Sequence, residues 1–208
     1  RMVGQAVTCI GARKYKVNLI TARPPPENRI RTHSGDHELH MTEAAVMLAM
    51  AEWLFSLGAT DVAIHPDGMH MKGFDIPLAL ASAGFLRTST TGSRGVSGVF
   101  RRGDQQLKVH SQPGLGDIVA EVNGVQIEVE AKGGCVNSRH PGQVSRLRKG
   151  LHEAVGQLMA SPRLETLLIA AVPYHLETAK LASRLAMRCK SASIEIALVH
   201  EDGTVALV

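Results

Sequence analysis

The stretch Pro113 to Gly134, PGLGDIVAEVNGVQIEVEAKGG, leaves the chain little freedom in how it folds. Asn123-Gly124 stands between two alternating apolar runs, the strongest local signal for a two-residue hairpin turn. Pairing outward from it sets Val122 against Val125, Glu121 against Gln126, Val119 against Glu128 and Asp117 against Glu130. Side chains alternate faces along a strand. Ile118, Ala120, Val122, Val125, Ile127, Val129 and Ala131 therefore share one apolar face, and Asp117, Glu128, Glu130 and Lys132 share the other. Opposed carboxylates, about 5 Å apart at Cβ, repel each other. A cation or a shared proton relieves such a pair, and the residues alone point to a divalent-metal site.

A chain of 208 residues can bury a good core and favours one domain, with room for a small appendage. An apolar content of 44% excludes disorder throughout, and an aromatic content of 3% argues against base stacking along aromatic platforms. The net charge of +4 suits an anionic partner and suits a solvated basic surface equally well. Cys9, Cys135 and Cys189 are widely spaced and odd in number, which predicts reduced thiols in a cytoplasmic protein. No apolar run reaches membrane-spanning length, and the first residues lack the order of a signal peptide.

In chain order, Gln5 to Ile20 reads as one or two strands, so residues 1–22 form an N-terminal β segment. Arg23-Pro24-Pro25-Pro26 opens a stiff linker over 23–40. His33, His37 and His40 fall there, and a solvated loop is favoured over a His-only zinc site. Residues 41–208 form the main domain. Thr42 to Leu57 is a buried helix with Thr42 as N-cap and Gly58 as stop. Its acids are Glu43, at its head, and Glu52, nearly opposite; Glu43 is either a dipole-favoured first-turn acid or part of a site. Thr60 to His65 is a short strand, Pro77 to Ala83 a helix, and Arg87 to Gly95 a mobile loop. Val99 to Arg102 and Gln105 to His110 make a second hairpin. After Gly134 the chain runs through Pro141 to Gly150 and into a helix ending near Ala160. Thr166 to Val172 is a strand covered on both sides, Leu176 to Cys189 an amphipathic helix, and Ile194 to Val208 a hairpin around Asp202-Gly203. Helices interleaved with buried strands give an α/β class with a mixed central sheet flanked by helices.

Asp117 and Glu130 are hard oxygen ligands suited to Mg²⁺ or Mn²⁺, and the Ala131 carbonyl adds a further oxygen. Lys132 faces as Glu130 does, diagonal to Asp117, where an ammonium can stabilise charge on a phosphoryl oxygen or assist an attacking water. Arg139, Arg146, Arg148 and Lys149 follow closely, as a solvated face or as phosphate contacts.

Gly116-Asp117 followed by Glu130-Ala131-Lys132 resembles the PD-(D/E)xK nuclease superfamily, the restriction-endonuclease-like fold. The resemblance covers Thr42 to about Val172 in its order of helix, strand, hairpin, helix, strand. It implies a Mg²⁺-dependent DNA endonuclease of restriction, defence or repair, with Mn²⁺ able to substitute. Asp117, Glu130, Ala131 and Glu43 would hold metal and Lys132 would assist the water. Gln157, in Ala154-Val155-Gly156-Gln157-Leu158, matches the helix Gln of the RecB-like and Holliday-junction-resolvase-like branches. Duplex or branched DNA is the implied partner, and double-strand cutters of this kind are often homodimers. The sequence departs from the pattern twice. Gly116 replaces the motif's Pro, with Pro113 four residues before Asp117, and Ser161 stands where the RecB-like branch has Tyr.

Two other readings compete. One is a nucleic-acid-binding module of the same fold that does not cleave. The other is a metal-free hairpin in which Lys132 merely pairs with Asp117 and Glu130, as surface ion pairs ordinarily do. No G-x-x-x-x-G-K-[ST], G-x-S-x-G or H-E-x-x-H occurs, which counts against nucleotide hydrolysis by a phosphate loop, α/β-hydrolase chemistry and zinc proteolysis.

Overall fold

The computed structural model describes residues 20–22, 39–66, 73–91, 95–112, 114, 116–162 and 165–208. The hairpin forms in the register its turn dictates. Strands β7 (Ile118–Val122) and β8 (Val125–Ala131) pair Val122 with Val125 through Ile118 with Val129. Asn123 and Gly124 both take positive φ, 52° and 79°, which a two-residue turn of this hand requires.

Around the hairpin lies a nine-stranded mixed sheet in the order β12-β11-β10-β8-β7-β3-β6-β5-β4. Its other strands are β3 (Asp61–Ile64), β4 (Leu86–Thr90), β5 (Gly98–Arg102), β6 (Gln105–Val109), β10 (Thr166–Pro173), β11 (Ile194–Val199) and β12 (Val205–Leu207). The strands β8, β10 and β11 run parallel to one another, so their C-terminal ends meet at one rim. Helix α1 (Glu43–Ser56) covers one face, burying Met47, Met50 and Leu54 with Ile118, Ile127, Val129 and Ala131 of the hairpin. Helix α2 (Ile76–Ser82) joins that core through Ile76 and Leu80. On the opposite face α3 (Pro141–Met159) and α4 (Leu176–Ser191) enclose a second core, including Leu151, Ala154, Leu158 and Leu181 over Ala170, Val172 and Ile196. A small second sheet joins β1 (Ile20–Ala22), β2 (Leu39–Met41) and β9 (Gly134–Cys135).

The α/β class and the buried helix after Thr42 are as expected, with Thr42 Oγ1 accepting the Ala45 N–H at 3.1 Å. Three expectations change. Arg87 to Gly95 is not a loop from its start, because Leu86–Thr90 pairs with β5 as an exposed edge strand. The Arg87 guanidinium lies 4.9 Å over the Phe100 ring and donates to the Val96 carbonyl, which anchors that edge. Helix α3 begins at Pro141 rather than near Gly150. His140 caps it by accepting the Gly142 N–H, and Pro141 occupies the first turn, where its missing N–H costs nothing. Leu39 and His40, expected as the tail of the linker, form with Met41 a strand held between β1 and β9. The expected strand before Ile20 and the prolines, His33 and His37 of the linker lie outside the described residues. Among the described residues no helix is long and apolar enough to cross a membrane, and Cys135 and Cys189 are not in disulfides.

Candidate functional site

The polar face of the hairpin points toward α3 and gathers at the rim where β8 ends. Asp117 lies just before β7, its own N–H donating to the Val129 carbonyl at 2.9 Å. Its Oδ2 accepts the Ala131 N–H at 2.8 Å, which locks the carboxylate against the end of β8. A strand residue's N–H and C=O point to the same side, so the Ala131 carbonyl also lies on the Asp117 side. Lys132 Nζ sits 2.6 Å from Glu130 Oε1 and 3.9 Å from Asp117 Oδ2. All three side chains are largely buried, with 18%, 9% and 17% exposure for Lys132, Glu130 and Asp117.

Glu43 enters from the head of α1 and is buried, with 7% exposed. Its approach depends on Gly133: a Cβ there would come within 2.6 Å of the Glu43 backbone N and 2.7 Å of the Met41 carbonyl oxygen. Glu43 acts on the cluster through its charge. Burial, then Glu130 and more weakly Glu43, push the Asp117 carboxyl up to about 7 against the pull of the Ala131 N–H and Lys132. Burial also works against the Lys132 ammonium. The Glu130 hydrogen bond and the charges of Glu43, Glu130 and Asp117 outweigh it and hold Lys132 above the usual lysine range. Lys132 is thus a cation at neutral pH.

The donor set fits a hard divalent cation. Asp117 and Glu130 supply carboxylate oxygens and Ala131 a carbonyl, and the repulsion that lifts Asp117 is what such an ion relieves. Among the described residues no group of three His, Cys, Asp or Glu side chains is placed to hold one ion. Glu43 is linked to Asp117 and Lys132 through its charge, from the head of α1. Glu52 is excluded outright: Arg102 takes both its oxygens, at 3.0 and 2.7 Å.

The remaining expected residues do not join this cluster. Gly150 is level with Lys132, since a Cβ there would lie 3.3 Å from Lys132 Cβ. Gln157 is exposed and two turns further on, about 10 Å along the helix. The basic residues also diverge, because each position turns the helix by about 100°. Arg146 lies on the flank that carries Gly150, whereas Arg148 lies toward α4, where its charge reaches Glu177. Lys149 points outward and pairs with Glu153 at 3.4 Å. Arg139, in the loop before α3, is exposed.

Two contacts beside the cluster, one made by Glu128 and one by His65, escaped sequence reasoning. Glu128, on the same face as Glu130, is only 4% exposed and accepts from the Ser161 hydroxyl at 3.0 Å. Gly116, at φ 78°, makes room for it: a Cβ there would meet Glu128 Cγ at 2.6 Å. The Gly before Asp117 and the Ser after α3, both departures from the resembled motif, thus meet at one carboxylate. His65, just past β3, donates its backbone N–H to the Asp117 carbonyl at 2.8 Å. Its Nδ1 lies 3.0 Å from the Gln112 carbonyl, and its ring stacks on His110 with centroids 4.5 Å apart. Only the pairing of strands distant in sequence shows this neighbour; its one sequence signal is the Pro66 that ends the strand.

Comparison with known proteins found no matching family model, no matching curated protein and no matching solved structure.

Proposed function

We propose that the chain is a Mg²⁺-dependent phosphodiesterase acting on DNA, with Asp117, Glu130 and Lys132 as its centre. The observation that supports this most is the meeting of two carboxylates and a lysine at a strand end where burial and like charge raise Asp117 to about 7. A structural hairpin gains nothing from that arrangement, because each unrelieved charge costs stability. A bound divalent ion would supply Lewis-acid stabilisation of phosphoryl charge and ease deprotonation of the attacking water. Asp117, Glu130 and the Ala131 carbonyl would hold it, with Mn²⁺ able to replace Mg²⁺. Lys132, kept protonated by its surroundings, stabilises charge on a phosphoryl oxygen and does not serve as the base. Glu43 adds negative charge to the cluster from the head of α1. The resemblance to the PD-(D/E)xK nucleases supports the same reading through the element order α1, β3, β7–β8, α3, β10. A role in restriction, defence or repair belongs to this proposal.

The 2.6 Å contact between Lys132 and Glu130 is what a metal-free, ion-paired hairpin would also show, and the second reading is a domain of the same fold, with its lysine so occupied, that binds nucleic acid without cutting it. Cleavage of plasmid, branched and single-stranded DNA in Mg²⁺ or Mn²⁺ separates the two. Wild type should cut, and Lys132→Ala and Asp117→Ala should each lower the rate about 100-fold or more. Cutting that survives both substitutions removes the site assignment. Salt-dependent binding with no cutting by wild type establishes the second reading.

A further inference from the structure

A cleft of about 840 Å³ opens where β10 and β11 end, at the rim of the sheet where β8 also ends, and none of the cluster's side chains lines it. Arg139, Tyr174, Glu177, His200, Glu201 and Asp202 are among the residues that line it. Tyr174 follows β10 and His200 follows β11. The Tyr174 N–H donates to the Val199 carbonyl at 2.7 Å and the His200 N–H to the Thr204 carbonyl at 2.8 Å, so the sheet's own bonding fixes both backbones. Their rings stack with centroids 4.3 Å apart and planes 16° apart. Tyr174 is nevertheless 40% exposed.

The register relates this pair to the cluster. Ala170 is level with Glu130, and both Ala170 and Val172 face the core beneath α3 and α4. Alternation carries Tyr174 to that face and, through Ile196 and Leu198, carries His200 there too. Lys132 is one strand across and two residues back from Tyr174. With strands about 4.8 Å apart and about 3.3 Å per residue, the two backbones are about 8 Å apart. A ligand held at the cluster therefore extends naturally over the stacked rings.

We infer that this cleft takes the base of an unpaired nucleotide next to the bond cut at the cluster, so that the substrate is single-stranded or frayed DNA. The location of the cut rests on the phosphodiesterase reading; the binding of the base does not. A stacked aromatic pair that lines a cleft and stays part-exposed offers π surface to any base, which is how single strands are held without sequence preference. The charges sort the parts of the nucleotide. Arg139, on the α3 side, suits the phosphate, with the nearby Glu177 carboxylate tied to Lys180 at 2.7 Å, whereas Glu201 and Asp202 repel phosphate and Glu201 accepts from the amino groups of a base. A paired base has its faces and its Watson–Crick edge already taken, so continuous duplex does not enter. The low aromatic content rules out a long stacking platform and leaves room for one fixed pair.

The test is fluorescence anisotropy in chelator, with a labelled oligodeoxycytidylate and a duplex of equal length. Wild type should bind the single strand more tightly than the duplex. Tyr174→Ala and His200→Ala should each weaken single-strand binding about 5- to 100-fold, with Tyr174→Phe close to wild type and duplex binding unmoved. Melting temperatures check that each variant is folded, and His200→Ala carries the test should Tyr174→Ala not fold. Equal affinity of wild type for both forms, or unchanged single-strand binding in the folded ring variants, overturns the inference. Because no metal is present, failure of wild type to cut in Mg²⁺ or Mn²⁺ bears on the phosphodiesterase reading and leaves this result standing.

Discussion

Asp117 shows how one side chain can be costly to the fold and central to the site. Its carboxyl is lifted from 3.8 to about 7, so between those values the folded chain binds a proton that the unfolded chain has already released. Stability of the metal-free protein therefore falls as pH rises from about 4 to 7, the opposite of a salt-bridged aspartate. Asp117→Asn keeps an oxygen for the Ala131 N–H and removes the charge. It should raise stability at pH 8 by on the order of 1–2 kcal/mol and make no comparable difference at pH 4, as measured by urea unfolding at both values. The same variant should lose metal binding and cleavage. A variant less stable than wild type at pH 8 would show that the carboxylate is already compensated by Lys132.

At the level of elements, what the sequence reveals depends on how local each instruction is. The β7–β8 hairpin is readable because Asn123-Gly124 sets the turn and alternation does the rest. Helices α1 and α2 are readable because Thr42 and Asp75 cap them from within three residues. The three-residue strand β2 and the two-residue β9 carry no such signal; each is a strand only because its neighbours supply partners. The same divide runs through the site. Alternation finds Asp117, Glu130 and Lys132, while His65 and the Glu128–Ser161 bond depend on contacts across 52 and 33 positions respectively. The geometry of α3 also divides residues that look equivalent in sequence. Arg146→Ala should weaken DNA binding and lower the salt slope by about 1, whereas Lys149→Ala, already paired with Glu153, should change neither. Titration at several salt concentrations measures both, and a larger effect from Lys149 would show that the outer face of α3 is the one in contact.

Across the whole molecule, α3 and α4 cover the sheet beyond β8, and the cluster sits at their border with the β7–β3–β6 side. A metal held there stabilises every element that depends on β7 and β8, since a ligand bound only by the folded state adds RT ln(1 + [L]/Kd). At a Mn²⁺ concentration of about 100 Kd this is about 2.7 kcal/mol, or several degrees in melting temperature for a chain of this size. Thermal melts with and without Mn²⁺ should show that shift in wild type and lose it in Glu130→Ala. An equal shift in both proteins would place the ion elsewhere.

Lys132 and Gly133 are the only residues between β8 of the large sheet and β9 of the small one. On its far edge the small sheet holds β1, and Gly133 is pressed against the start of α1. The chain therefore passes from the large sheet to the small one at Lys132 itself. Any side chain at position 133 would have to displace the Met41 carbonyl and the Glu43 backbone, so the turn that carries the lysine and the head of α1 that carries Glu43 are fitted to each other through a single glycine.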